Sequence, residues 1–137
     1  MSAASDYTEN KVLDHALGTA SWTAPGTVYL GLFTNTSTNA ATNLEAGTLT
    51  DEVTTAGSAY GRQSIAFGSA SGGSASNSGT VTFSAATSNW GTITHVAVMD
   101  ASTGGNVLFW GAVTTSKTIE SGDTFQVSSS NLSISLA

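Results

Sequence analysis

Cysteine is missing from this 137-residue chain, and proline occurs once, at Pro25. Without thiols there is no disulfide framework and no Cys-based zinc site, and the fold is indifferent to the redox state of its compartment. Charge is scarce as well: 9% of the residues are Asp, Glu, Lys or Arg, against about a quarter in an ordinary soluble domain. Three basic residues against nine acidic ones leave a net charge of -6, so there is no basic stripe to neutralise phosphates. Nucleic acid and anionic membrane are excluded as partners on that ground. The longest apolar stretches, 96–99 and 107–110, are strand-sized, far below the roughly 20 residues that cross a bilayer. No secretory leader is readable either, because Asp6, Glu9, Lys11 and Asp14 break up the region where its apolar stretch would lie. The mature chain is expected to begin at or near Met1.

Ser, Thr, Ala, Gly and Asn fill the space that charge leaves, and the length fits one domain with a single core. Residues 5–17 carry the one helical pattern: Asp6 as cap with Glu9 three positions on, then Val12, Leu13, Ala16 and Leu17 on one face, with Gly18 as the stop. About three turns with a narrow apolar face are not stable alone, so this helix must dock on its own domain or on a partner. From residue 27 the period changes to two. Residues 27–34 (TVYLGLFT) place Val28, Leu30 and Leu32 on one face and Tyr29, Gly31 and Phe33 on the other, the pattern of a central strand covered on both sides. Residues 35–57 show no sustained periodicity and read as a long loop, which at that length is functional or disordered.

Strands are expected at 60–67 and 80–83, separated by a Gly/Ser tract at 68–79 that suits a flexible hairpin tip. The strongest hairpin joins 92–99 to 106–113 through DASTGG at 100–105, where Asp and paired glycines supply a short loop's positive φ angles. Strands at 118–120, 124–127 and 132–136 complete the set, with Leu132, Ile134 and Leu136 facing inward. About eight short strands with turn residues at the joints define a mainly β fold, an antiparallel β-sandwich for which a jelly-roll-like arrangement is one form. One short N-terminal helix precedes it. Residues 1–26 form a helix and arm and 27–137 the sandwich, within one domain overall.

No constellation in the sequence demands catalysis. His15 and His95 are the only histidines; Asp100 follows His95 and serines abound, but no G-x-S-x-G elbow accompanies them, so a strand histidine is the plainer reading. Glu45, Asp51 and Glu52 sit in one loop and read as solvated carboxylates rather than a glycosidase pair. Neither a calcium-loop spacing nor a zinc ligand set is present, and 68–79 lacks the Lys of a phosphate loop. No cofactor is expected. Trp22, Trp90 and Trp110 admit two readings, core packing or an exposed surface for a sugar or a protein. Trp110 follows Phe109 in a strand, so the two rings point to opposite faces.

Four stretches carry a resemblance: KVLDHALG (11–18), TAPGTVYLGLFT (23–34), AYGRQSIAFG (59–68) and the run from NWGTITHVAVMD through GDTFQV (89–127). Together they resemble a family of small tailed-phage virion proteins, often tail-fibre-like, some of which look like capsid cement or decoration proteins. The likeness spans nearly the whole chain, with 35–57 the main gap, and carries no catalytic residues with it. It implies a non-enzymatic structural protein made in the host cytoplasm and placed on the virion, at the capsid surface. There it would act as a cement protein, a homotrimer bound to the major capsid protein. Val12, Leu13, Leu17, Trp22, Leu44, Trp90 and Trp110 are the candidate interface residues. A tail or tail-fibre component contacting the host surface is the alternative, and a sugar-binding β-sandwich module the second.

Overall fold

The computed structural model describes residues 2–136. The elements in chain order are β1 (Ala3–Ala4), α1 (Asp6–Ala16), β2 (Val28–Phe33), α2 (Ala40–Glu45), β3 (Gln63–Ile65), β4 (Ser74–Ser76), β5 (Val81–Thr82), β6 (Gly91–Met99), β7 (Val107–Ile119), β8 (Gln126–Val127) and β9 (Ser133–Ser135). The fold is mainly β, as the alternation implies. Its centre is a five-stranded antiparallel sheet in the order β1-β7-β6-β2-β3. The second layer is split into two ribbons, β4-β9 and β5-β8, rather than one sheet.

Strand β2 lies between β6 and β3, and its alternation sorts the core. Leu30 and Leu32 enter one cluster with Ile93, Val96 and the side chains of the ribbon layer, Val81, Phe83 and Phe125. Phe33, with Tyr29 against it, belongs to a second cluster on the other face, closed by Leu44 of α2 and by Leu49. Both faces of the sheet are therefore buried, which is why β2 shows no polar side. In the larger cluster Tyr60, Phe83, Trp90 and Phe125 meet edge-on or stacked, with ring centroids 5.4–6.4 Å apart. Trp90 donates from Nε1 to the Ser58 carbonyl at 2.8 Å, so its one polar atom is satisfied inside.

The hairpin β6–β7 forms as expected, and β7 runs on through 118–119, absorbing what reads in sequence as a separate strand. Between the pairs Ile93↔Lys117 and His95↔Ala112, β7 holds more residues than β6, so 113–116 bulge from the ladder. At the turn the Asp100 carboxylate accepts from the Asn106 N–H (2.7 Å) and Nδ2 (2.9 Å). Gly105 has φ +71°, and a Cβ there would lie 2.5 Å from Asp100 Oδ1, so the position admits glycine alone.

Several expectations are corrected. Ser5, not Asp6, caps α1: its side chain accepts from the Thr8 N–H, and Asp6 is the first helical residue. Segment 35–57 is not an irregular loop. It contains α2, and Asp51 organises it by accepting from the Ser37 N–H (2.9 Å), Ser37 Oγ (2.5 Å) and Asn43 Nδ2 (3.4 Å). Segment 68–79 is not a free tip, because β4 pairs with β9 and buried Asn77 bonds to Gly79, Ser128 and Leu132. Leu132 and Ile134 are half-buried, but Leu136 turns outward. Of the suggested division at residues 26 and 27, the outer ends Met1 and Ala137 lie outside the described residues.

Candidate partner interface

Helix α1 docks through two small hydroxyl residues at its start. Ser5 gives its N–H to Leu108 O (3.1 Å) and its hydroxyl to Val107 O, and Ser5 and Thr8 are completely buried against the sheet edge. The Thr8 hydroxyl has no hydrogen-bond partner there. Hydrogen bonds to strand carbonyls fix the helix by its first turn, and the rotation they impose carries the leucines to the outside. Leu13 is 55% exposed and Leu17 74%. Val12 is half-buried at the margin. Of the two docking modes open to the helix in sequence, its own domain takes the side of Ser5 and Thr8 and leaves Leu13 and Leu17 free.

The arm after α1 folds back along it. Trp22 gives its N–H to His15 Nδ1 at 3.1 Å and sets its half-buried ring edge-on to Tyr7 at 6.4 Å. Two depressions open beside this corner. One, of about 390 Å³, lies between α1 and the chain termini, lined by Ala3, Ala4, Glu9, Val12, Leu13 and Leu136. The other, of about 430 Å³, is walled by Trp22, Pro25, Phe67, Phe109, Ile134 and again Leu136. Leu136, 52% exposed, joins the two. Leu13, Leu17 and Leu136 are the exposed large hydrophobics among the described residues.

At the N-terminal end of α1, carboxylate oxygens of Asp6, Glu9 and Glu45 lie within 4.8 Å of one another. Glu45 Oε2 accepts from Trp110 Nε1 at 2.6 Å, which ties α2 to β7. Three carboxylates are the donors a hard cation would use, but Asp6 and Glu9 are exposed and a calcium shell takes six to eight oxygens. Tertiary contact between α1 and α2 creates this group, so no sequence spacing announces it.

The candidates thus divide. Val12 and Leu13 line one depression and Trp22 the other, with Leu136 common to both, while Leu17 stands exposed at the end of α1. Trp110, half-buried, belongs to the face of α2, while Phe109 lines the groove on the opposite face, as adjacent strand positions require. Trp90 at 5% exposure and Leu44 at 1% are core side chains, held there by the aromatic cluster and by the covering of Phe33, and offer nothing to a partner. Phe109, Ile134 and Leu136 complete the surface unforeseen. Strand alternation in 132–136 is real, but the chain leaves the ladder before Leu136.

The remaining ionisable groups serve the fold. Glu52 and Arg62 form a bidentate ion pair, 2.7 Å at both contacts. Arg62 also reaches Ala101 O (2.7 Å) and Gly104 O (2.8 Å), while Tyr60 donates to Glu52 Oε1 (2.9 Å) and accepts from the Leu32 N–H (3.0 Å). Two of the quoted stretches, AYGRQ and DASTGG, are therefore halves of one latch. Burial of its ring, with the Glu52 charge beside it, pushes the Tyr60 hydroxyl pKa well up. Asp51 is buried, which alone raises a carboxyl pKa, but the bonds from Ser37 and Asn43 outweigh this and hold it below the usual value. Neither Asp51 nor Glu52 is a solvated loop carboxylate, as the sequence implied; local polarity hid tertiary partners. His95 Nδ1 meets Thr94 Oγ1 at 2.8 Å, and the ring's burial lowers its pKa against the opposing pull of Asp51. The Asp100 carboxylate is engaged by Asn106 rather than aimed at His95.

An exposed apolar corner thus sits on a mainly β scaffold whose buried acid and base, Glu52 and Arg62, are paired with each other. The family is given by a protein-family model for the podophage GP4 fiber I protein gp80, which matches residues 3–135. The chain belongs to that family, and so to the phage fibre and virion structural proteins. No curated protein matches it significantly.

Proposed function

We propose that the chain is a non-enzymatic component of a podophage tail fibre, a β module that joins fibre to virion through the corner of α1, Trp22 and Leu136. The family match over residues 3–135 is the observation that supports this reading. The apolar corner supports it too, because Leu13 and Leu136 stand exposed around one groove, a surface that a partner can cover. A capsid cement protein, trimeric and seated on the major capsid protein, would use the same kind of surface but at another place. Gold labelling of virions with an antibody to this chain, together with its copy number relative to the major capsid protein, decides between them. Label confined to the tail at low copy is expected; label spread over the head at high copy would replace the fibre reading with the cement one.

A further inference from the structure

The outward face of α1 has two chemistries in line. Glu9 and Leu13 are four residues apart and share a face, with Leu17 one further turn on. At the acidic end Asp6 and Glu9 converge with Glu45, and at the apolar end Leu13 faces Leu136 across the groove. No cation among the described residues answers this acidity. Arg62 is buried on Glu52, Lys11 lies over the Tyr7 ring at 5.6 Å, and Lys117 is on β7. The single ion pair among the described residues is Arg62–Glu52.

We infer that this face receives a segment of a different polypeptide, one that presents basic side chains followed one to two helical turns on by apolar ones. Charge selects the occupant. A second copy brings a net charge of -6, so it would set acid against acid at the N-terminal end. A segment carrying Lys or Arg satisfies three carboxylates and, in the same stroke, covers Leu13, Leu17 and Leu136. The basic residues would steer and orient the encounter, and the apolar ones would supply the burial. The inference takes from the fibre reading only that the partner is another virion protein; the chemistry of the surface stands apart from it.

The test uses the full chain and two synthetic helical peptides of about 14 residues, or four turns. One carries Lys at its first and fourth positions and Leu at its eighth and twelfth, with Ala and Gln elsewhere; the other has Glu in place of Lys. The basic peptide is expected to bind about tenfold more tightly than the acidic one at low salt, with the advantage lost as salt rises. The paired variant Leu13→Ser, Leu17→Ser, on exposed positions that the fold does not use, should weaken binding of the basic peptide about tenfold. Glu9→Gln should reduce the salt dependence, and Asp6→Asn with Glu9→Gln should remove most of it. Equal affinity for the two peptides, or binding unchanged by the paired variant, overturns the inference. So does a free chain that self-associates and is made monomeric by the paired variant, since the occupant is then a second copy. Virion labelling tests the fibre reading separately, so either can fail without the other.

Discussion

The latch around Arg62 and the corner around Leu13 are opposite solutions to placing polar and apolar groups. At the latch, five hydrogen bonds tie Glu52, Tyr60 and Arg62 to one another and to the carbonyls of Ala101 and Gly104 inside the protein. At the corner, Ser5 spends its N–H and hydroxyl on β7, and the helix leaves its leucines in water. A closed network rigidifies the scaffold, and an open apolar face waits for a surface to cover it. One chain thus separates the region that holds the fold from the region that meets a partner, and substitutions should sort accordingly.

Breaking the latch should have the largest effect. Arg62→Ala leaves Glu52 without its counter-charge and two hairpin carbonyls without partners, and is expected to cost about 3–5 kcal/mol in urea unfolding, the scale for removing one member of a buried ion pair. Glu52→Gln should cost less, because an amide keeps one acceptor, and a double-mutant cycle should show strong coupling between the two. Next comes the hairpin tip: Gly105→Ala forces a Cβ onto the Asp100 carboxylate at positive φ, for an expected loss of about 1–3 kcal/mol in the same measurement. Acid should act through Asp51 and His95. The Asp51 carboxyl is depressed in the folded chain, so its stabilisation is full above the unfolded carboxyl value near pH 4 and is lost as pH falls through the lower folded value. His95 is also depressed, so protonation opposes folding, and stability should decline as pH drops below about 6.5 toward its folded value. A pH series of melting temperatures should show both limbs, with Asp51→Asn flattening the more acidic one. The smallest effect belongs to the corner: Leu13→Ser with Leu17→Ser should move free-chain stability by no more than about 0.5 kcal/mol, as for ordinary surface positions.

The same contrast marks what the sequence made legible. Strand β2 and the hairpin β6–β7 were readable because period-two alternation and a Gly-rich turn are local signals. Segment 35–57 was not, because its order comes from one buried carboxylate gathering Ser37 and Asn43, which no periodicity encodes. Strand β4 was hidden for a similar reason: Ser74–Ser76 has no apolar pattern and is a strand only because β9 arrives from the far end of the chain. The apolar stripe of α1 was legible, but its direction was not, since the buried hydroxyl of Ser5 and its carbonyl partner on β7 decide the rotation. Trp90 admits both core packing and an exposed surface in sequence; which one holds is decided by an acceptor inside the fold, the Ser58 carbonyl that takes its indole N–H.

The central claim is that the corner of α1 and β9 is free in the isolated chain and covered in the virion. Amide hydrogen exchange, compared between purified chain and intact particles, tests it most directly. Exchange in α1 and β9 should slow in the particle, while the β6–β7 hairpin, already protected by the closed core, stays unchanged. Equal exchange of α1 and β9 in the two samples, with new protection confined to other elements, would contradict it.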